Sequence, residues 1–383
     1  MSDEEQRFRG VLGLVKRCLK PKRIISIAKA TNRVLHQSAA FFRVVVELGN
    51  REILPILGSV RDEASETPAR LAAAVALWWE ALSQKTRPRR LLVLVPSTWG
   101  PEPGDLLEYL NIPIRYRTYN LAEGSLEGWV PAPQSSSLDQ SFVFHPLSHP
   151  APALFEEVSR ELVATDLLYR DSCWQLSLRG LPLAWETRGR GELEYDYHDP
   201  KRLSAAVDLH NHARCVESIR RVGSPSPMHR YYRHGPERWL ESQMLRSYRL
   251  LNSSLGPEIY CQVPTWKGGH RRVIDLLTAT PDGRLAVLEL KSEKDMGLLF
   301  QGVGYWDRVN RHLEAGDFEC SGYFPGKRLC RRPPLLYLVA PLFEFHRCLP
   351  VFRKFLRIPG KIHCVGINSD WRHEVRILRH FDL

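Results

Sequence analysis

The chain has no run of eighteen uninterrupted apolar residues, no Cys-x-x-Cys pair and no Gly-x-x-x-x-Gly-Lys-[Ser/Thr] loop. Each lack excludes something. Without a long apolar run no transmembrane helix is expected, and an acidic start, Ser2-Asp3-Glu4-Glu5, argues against a secretory signal. The 8 cysteines are scattered without a zinc-like Cys/His spacing, so they read as reduced thiols of a cytoplasmic protein. The missing phosphate loop means that ATP-driven, processive work on a substrate would need a separate helicase or repair partner.

What the chain does have is an uneven excess of positive charge. It carries 54 Lys and Arg against 43 Asp and Glu, but residues 1–225 are nearly balanced at 29 against 27, whereas residues 226–383 hold 25 against 16. The excess sits in the C-terminal part, where it suits a polyphosphate substrate and is expected to supply most of the nucleic-acid affinity. Basic clusters lie at Arg230 to Arg233, at Gly268-Gly269-His270-Arg271-Arg272, and at Lys327-Arg328 with Arg331-Arg332. Of these, Arg271, Arg272, Lys327, Arg328, Arg331 and Arg332 are the candidate nucleic-acid contacts. A solvated basic face kept for solubility is the plainer alternative.

The same region holds the stretch with readable chemistry. Two apolar, β-rich runs, RRVIDLLTA and RLAVLELKS, flank Thr280-Pro281-Asp282-Gly283. Pro presets φ and Gly supplies a positive φ, so the pair of runs reads as a hairpin. A turn centred on Asp282 sets Asp275 opposite Glu289, and period-two alternation puts Lys291 on their face while Ile274, Leu276, Leu288 and Leu290 point the other way into a core. Two opposed carboxylates destabilise a sheet unless a cation lies between them, and hard oxygen ligands suit Mg²⁺ or Mn²⁺. A neighbouring lysine can orient or deprotonate water and stabilise charge on a phosphoryl group. The plain alternative is ordinary edge-strand polarity. Beyond the hairpin, a helical pattern from Met296 to Leu313 places Gln301 and Tyr305 one turn apart on one face.

Asp275, Glu289-Leu290-Lys291 and Gln301-x-x-x-Tyr305 together resemble the PD-(D/E)XK nuclease superfamily, in its branch with a Gln-x-x-x-Tyr motif, as in RecB-type and NucS-like nucleases. The resemblance covers roughly residues 226–383. It implies a restriction-endonuclease-like αβββαβ core and a metal held by Asp275, Glu289 and the Leu290 carbonyl. It also implies an acid on the preceding helix, for which Glu237 is favoured and Glu241 is a close rival. Catalytic roles would then fall to Glu237, Asp275, Glu289, Lys291, Gln301 and Tyr305. One departure is that the proline usual before the Asp is Ile274 here.

The expected fold class is α/β, with three parts. Residues 1–130 read as a separate N-terminal α/β domain, 131–225 as a linker and a middle α+β section, and 226–383 as the nuclease-like domain. Residues 7–36 read as one or two basic helices broken at Pro21; strands then follow around Gly49-Asn50, with a helix after Thr67 and a buried strand LLVLVP. That order echoes the C-terminal part, so 1–130 is a conceivable degenerate copy without an acid and Glu-x-Lys pair. Val130 to Gln140 is the most linker-like segment, and ALFEEVSRELVATDLLY reads as one amphipathic helix. His210-Asn211-His212 is set aside as a metal site, because residues two apart on a helix diverge. The functional expectation is a metal-dependent deoxyribonuclease in repair, restriction or defence, alone or as a homodimer. Its rival is an inactive nuclease-fold protein that binds nucleic acid or a partner.

Overall fold

A computed structural model describes residues 2–32, 38–61, 67–86, 88–99, 102–128, 150–170, 173–188, 191–267, 270–358 and 360–383. The linker expected at 130–140 and the glycines Gly268 and Gly269 lie outside the described residues. The fold is mixed α/β, built on three sheets.

The N-terminal lobe runs α1 (Asp3–Leu19), β1 (Arg23–Ala28), β2 (Phe41–Glu47), β3 (Ile53–Ser59), α2 (Pro68–Ser83), β4 (Leu91–Pro96), α3 (Glu102–Leu107), β5 (Ile114–Asn120) and β6 (Ser125–Gly128). Its six strands lie in chain order, paired antiparallel, antiparallel, parallel, parallel and antiparallel. The second basic helix expected after Pro21 is instead strand β1. Ile24, Ile25 and Ile27 are β-branched and favour the extended chain, which pairs with β2. Helix α1 packs Phe8, Val11, Leu14 and Val15 on one face of the sheet.

The middle section has α4 (Ala153–Glu161), strands β7 (Thr165–Arg170), β8 (Cys173–Leu178), β9 (Leu181–Glu186), β10 (Leu193–Tyr195) and β11 (Lys201–Arg202), and α5 (Ala206–Ile219). The strands form an antiparallel sheet with its own core against α4 and α5. Helix α4 is shorter than its amphipathic pattern suggests. Ala164 has φ 69, outside the helical region, and Thr165 to Arg170 pair with β8.

The C-terminal lobe runs α6 (Arg230–Arg233), α7 (Pro236–Ser247), β12 (Ile259–Lys267), β13 (His270–Ala279), β14 (Leu285–Leu290), α8 (Leu298–Ala315), α9 (Asp317–Cys320), β15 (Leu335–Pro341), α10 (Leu349–Phe355), β16 (Ile362–Ile367) and β17 (Ile377–Asp382). Its sheet repeats the strand order and directions of the N-terminal one. Helix α7 covers one face, with Trp239, Leu240 and Met244 on Leu276, Leu288 and Leu290. Helix α8 covers the other.

The two lobes are separate sheets with one shared core. Helix α2, PARLAAAVALWWEALS, is buried from Pro68 to Trp79 except at Arg70, because it packs between its own sheet and α8. The Tyr109 hydroxyl donates to Asp307, Arg357 N–H donates to the Tyr109 carbonyl at 2.7 Å, and Lys354 meets Glu80 at 2.7 Å. The expected separate N-terminal domain is thus sewn to the C-terminal one.

Candidate active site

The β13–β14 hairpin turns where the sequence says it should. Gly283 N–H donates to the Thr280 carbonyl at 2.9 Å, and Gly283 takes φ 79, where a Cβ would lie 2.2 Å from the Arg328 carbonyl oxygen. Only glycine fits there. The register runs Ala279↔Leu285, Thr278↔Ala286, Leu277↔Val287 and Leu276↔Leu288 without a shift. Its continuation sets Asp275 against Glu289, and the Asp275 carboxylate accepts from the Leu290 N–H at 2.9 Å, which pins it to β14.

Leu276, Leu288 and Leu290 enter the core under α7, as the alternation requires. Ile274 does not; it joins Val263 in the cluster under α8. The reason is local. Gln262, opposite Asp275, has φ 55 and is skipped in the β12–β13 ladder between Cys261↔Leu276 and Val263↔Ile274, so the strand twists there.

The carboxylates meet a buried lysine. Lys291 Nζ lies 3.3 Å from Glu289 Oε1 and 3.3 Å from Glu237 Oε2. Burial pulls the Lys291 ammonium down, but Glu289, Glu237 and Asp275 outweigh it, so the group is held above its ordinary value and stays charged. Glu289 is fully buried and neither of its oxygens has a hydrogen-bond partner. Burial first, and the Asp275 charge second, push its carboxyl well above the ordinary range. Burial raises Asp275 as well, with Lys291 and the Leu290 N–H opposing. Tyr305 is buried and hydrogen-bonded to Gln301 Nε2 at 3.2 Å; burial and then Glu289 hold its hydroxyl protonated.

The structure therefore brings together Glu237, Asp275, Glu289, Lys291 and the Gln301–Tyr305 pair. It also separates the two helix acids. Glu237 sits in the first turn of α7 and reaches Lys291, whereas Glu241 is buried against Arg238 at 2.9 Å and Gln262 at 2.5 Å. Arg271 and Arg272 lie at the carboxylate end of β13. Lys327, Arg328, Arg331 and Arg332 lie at the turn end, ~17 Å along the strand from Asp275 to Thr280 at ~3.4 Å per residue. There Arg332 pairs with Asp282 in the turn, Lys327 with Glu258 just before β12 at 2.8 Å, and Arg331 donates to the Leu313 carbonyl near the end of α8.

Sequence reasoning gave no role to Arg220, which is fully buried at the end of α5. Its guanidinium donates to the carbonyls of Tyr231 at 2.6 Å, His234 at 2.8 Å and Arg179 at 2.8 Å, and lies over the Trp239 ring at 4.7 Å. Burial, helped by Arg372 and Arg179, pulls it down to about 9. Arg220 ties the β8–β9 turn to the loop that launches α7, and so holds Glu237 in place. Arg220→Ala should lower stability by ~3–5 kcal/mol, since it strands several buried carbonyls and empties a packed site. A urea midpoint unchanged from the parent would contradict this.

His210, set aside on helical grounds, lies beside two carboxylates of α4: Glu161 at 3.2 Å and Glu157 at 3.7 Å. This exposed cluster joins α4 to α5. Comparison with protein-family models, curated proteins and solved structures found no match.

Proposed function

We propose that the chain is a metal-dependent phosphodiesterase acting on DNA, built on a nuclease-like αβββαβ core of the PD-(D/E)XK kind. The observation that carries this reading is Glu289: a fully buried carboxylate with no hydrogen-bond partner, set against a second carboxylate. Burying a carboxylate is costly, and two adjacent acids call for more positive charge than the single ammonium of Lys291, 3.3 Å from Glu289, supplies. Hard oxygen donors from Asp275, Glu289 and the Leu290 carbonyl fit Mg²⁺ or Mn²⁺.

When bound, such an ion polarises a phosphoryl oxygen and lowers the pKa of a coordinated water. The chain's own groups do the rest. Held charged by its carboxylates, Lys291 donates to the attacking water or to a non-bridging phosphate oxygen, and does not serve as a general base. Glu237, at 46% side-chain exposure, faces solvent beside it and can accept a proton from water. Tyr305, kept protonated, and Gln301 are donors for the scissile phosphate.

The N-terminal lobe repeats the strand topology but not the chemistry. At the corresponding end of its hairpin Phe41 faces Ser59, and fully buried Trp99 donates to the Arg61 carbonyl at 2.8 Å. That corner is filled, which favours one active centre per chain.

The test is cleavage of single- and double-stranded DNA with Mn²⁺. Asp275→Ala should cut at least ~10³-fold more slowly, the loss of several kcal/mol of charge stabilisation. A variant as fast as the parent would refute the assignment.

A further inference from the structure

A cavity of about 120 Å³ lies in the seam between the two lobes. Helix α8 forms one wall through Gln301, Tyr305 and Arg308; the start of α2 and Tyr109, just after α3, form the facing wall, and Arg272 lines it from β13. Two of these residues link it to the carboxylate site. The Tyr305 hydroxyl lies in the field of Glu289 and Asp275, and Arg272 stands three residues before Asp275. The N-terminal lobe also touches the segment after Lys291, where Arg70 meets Asp295 at 3.6 Å.

The lining mixes the rings of Tyr109, Phe300 and Tyr305 with two arginines and two carboxylates, Asp105 and Asp307. Rings stack on a base, and a lining with both guanidiniums and carboxylates offers donors and acceptors to the polar edge of a base. The space holds one small planar group between helices, and a stacked base pair would not enter.

We infer that this cavity is a nucleotide subsite, which takes one unstacked nucleotide of the DNA strand beside the scissile phosphate. The inference rests on the nuclease reading above. The N-terminal lobe then supplies one wall of the pocket that reads the substrate cut by the C-terminal lobe. A single-stranded or splayed end is the preferred substrate, because a paired base cannot reach the pocket without leaving its stack.

Gly304 offers the probe. It lines the cavity on α8, and a Cβ there would meet only Leu106 Cδ1, at 3.8 Å, so a longer side chain grows into the cavity without striking backbone. Gly304→Met, in a Glu289→Gln background that prevents cutting, should weaken binding of a fluorescein-labelled single strand by about tenfold or more, the loss of one stacked base. Gly304→Ala should stay near the parent. Unchanged affinity in Gly304→Met, or no strand binding by the parent, overturns the inference.

A second readout separates the two claims. With Glu289 intact, Mn²⁺ binding measured by calorimetry should be the same with and without Gly304→Met. Strand affinity that falls in Gly304→Met while the parent binds no Mn²⁺ would sink the nuclease reading and keep the subsite. Should Gly304→Met fail to fold, photocrosslinking of a bromouracil strand to the full chain decides. Crosslinks on Tyr109 or Tyr305 support the subsite, and crosslinks confined to other segments refute it.

Discussion

Glu289→Gln should abolish DNA cleavage and yet leave the metal-free protein at least as stable as the parent at neutral pH. The rate loss is expected at ~10³-fold or more, because the carboxylate proposed to hold the metal becomes a neutral amide. The stability result follows from the buried charge. Glu289 is fully buried, has no hydrogen-bond partner and faces Asp275, so its ionised form is unfavourable in the folded chain. A carboxyl whose folded pKa is raised binds its proton more tightly in the native state. Its stabilising contribution is complete below the unfolded value and is lost as pH rises through the folded one. In urea titrations the metal-free parent should therefore lose stability relative to Glu289→Gln as pH rises above the ordinary 4.5. Parallel midpoints across that window would show that Glu289 is not an unfavourable buried charge. Mn²⁺ at a hundredfold excess over its Kd should add ~2.7 kcal/mol to the parent and nothing to the variant.

Lys291→Met should be the more damaging change, costing both activity and stability. Its ammonium is nearly buried and is the cation within 3.3 Å of Glu289. Removing Lys291 costs ~3–5 kcal/mol, because Glu289 and Asp275 lose their cation, whereas Glu289→Gln leaves Lys291 with Glu237 and Asp275. Glu237 adds little to that figure, since its half-exposed carboxylate is solvated. The deficit should shrink on acidification, as Glu289 and Asp275 take up protons and no longer need the cation. A denaturant series at acid and neutral pH checks this. A variant equally destabilised at both would point to lost packing instead of stranded charge. Cleavage should fall ~10²–10³-fold, the scale for removing one preorganised donor.

The hairpin was legible because its turn chemistry and its alternation are local. Pro281 and Gly283 fix the register, and the register fixes which residues face each other. Glu237 and Glu241 lie one turn apart on α7, so periodicity alone could not divide them; the contact of Glu241 with Gln262, at a kink in β12, did. Gln262 also explains Ile274, since a positive φ at a non-glycine residue leaves no mark in a pattern of apolar positions. The docking of the lobes had a signal in the apolar run of α2 from Leu71 to Trp79, but a helix buried on all sides does not name its partner. Arg220 had none: a lone arginine in sequence looks the same whether solvated or stacked on Trp239. For the same reason Lys327 to Arg332 read as a phosphate-binding cluster, although Lys327, Arg331 and Arg332 are tied to Glu258, the Leu313 carbonyl and Asp282.

One measurement bears most directly on the metal-dependent reading: calorimetric titration of Mn²⁺ into the full chain and into Glu289→Gln. The parent should take up Mn²⁺ at one or two sites that vanish in the variant, with proton release at neutral pH from the raised carboxyls. A parent that binds no Mn²⁺, or binds it equally well after Glu289→Gln, would contradict the account and leave a mixed α/β protein without metal-dependent catalysis.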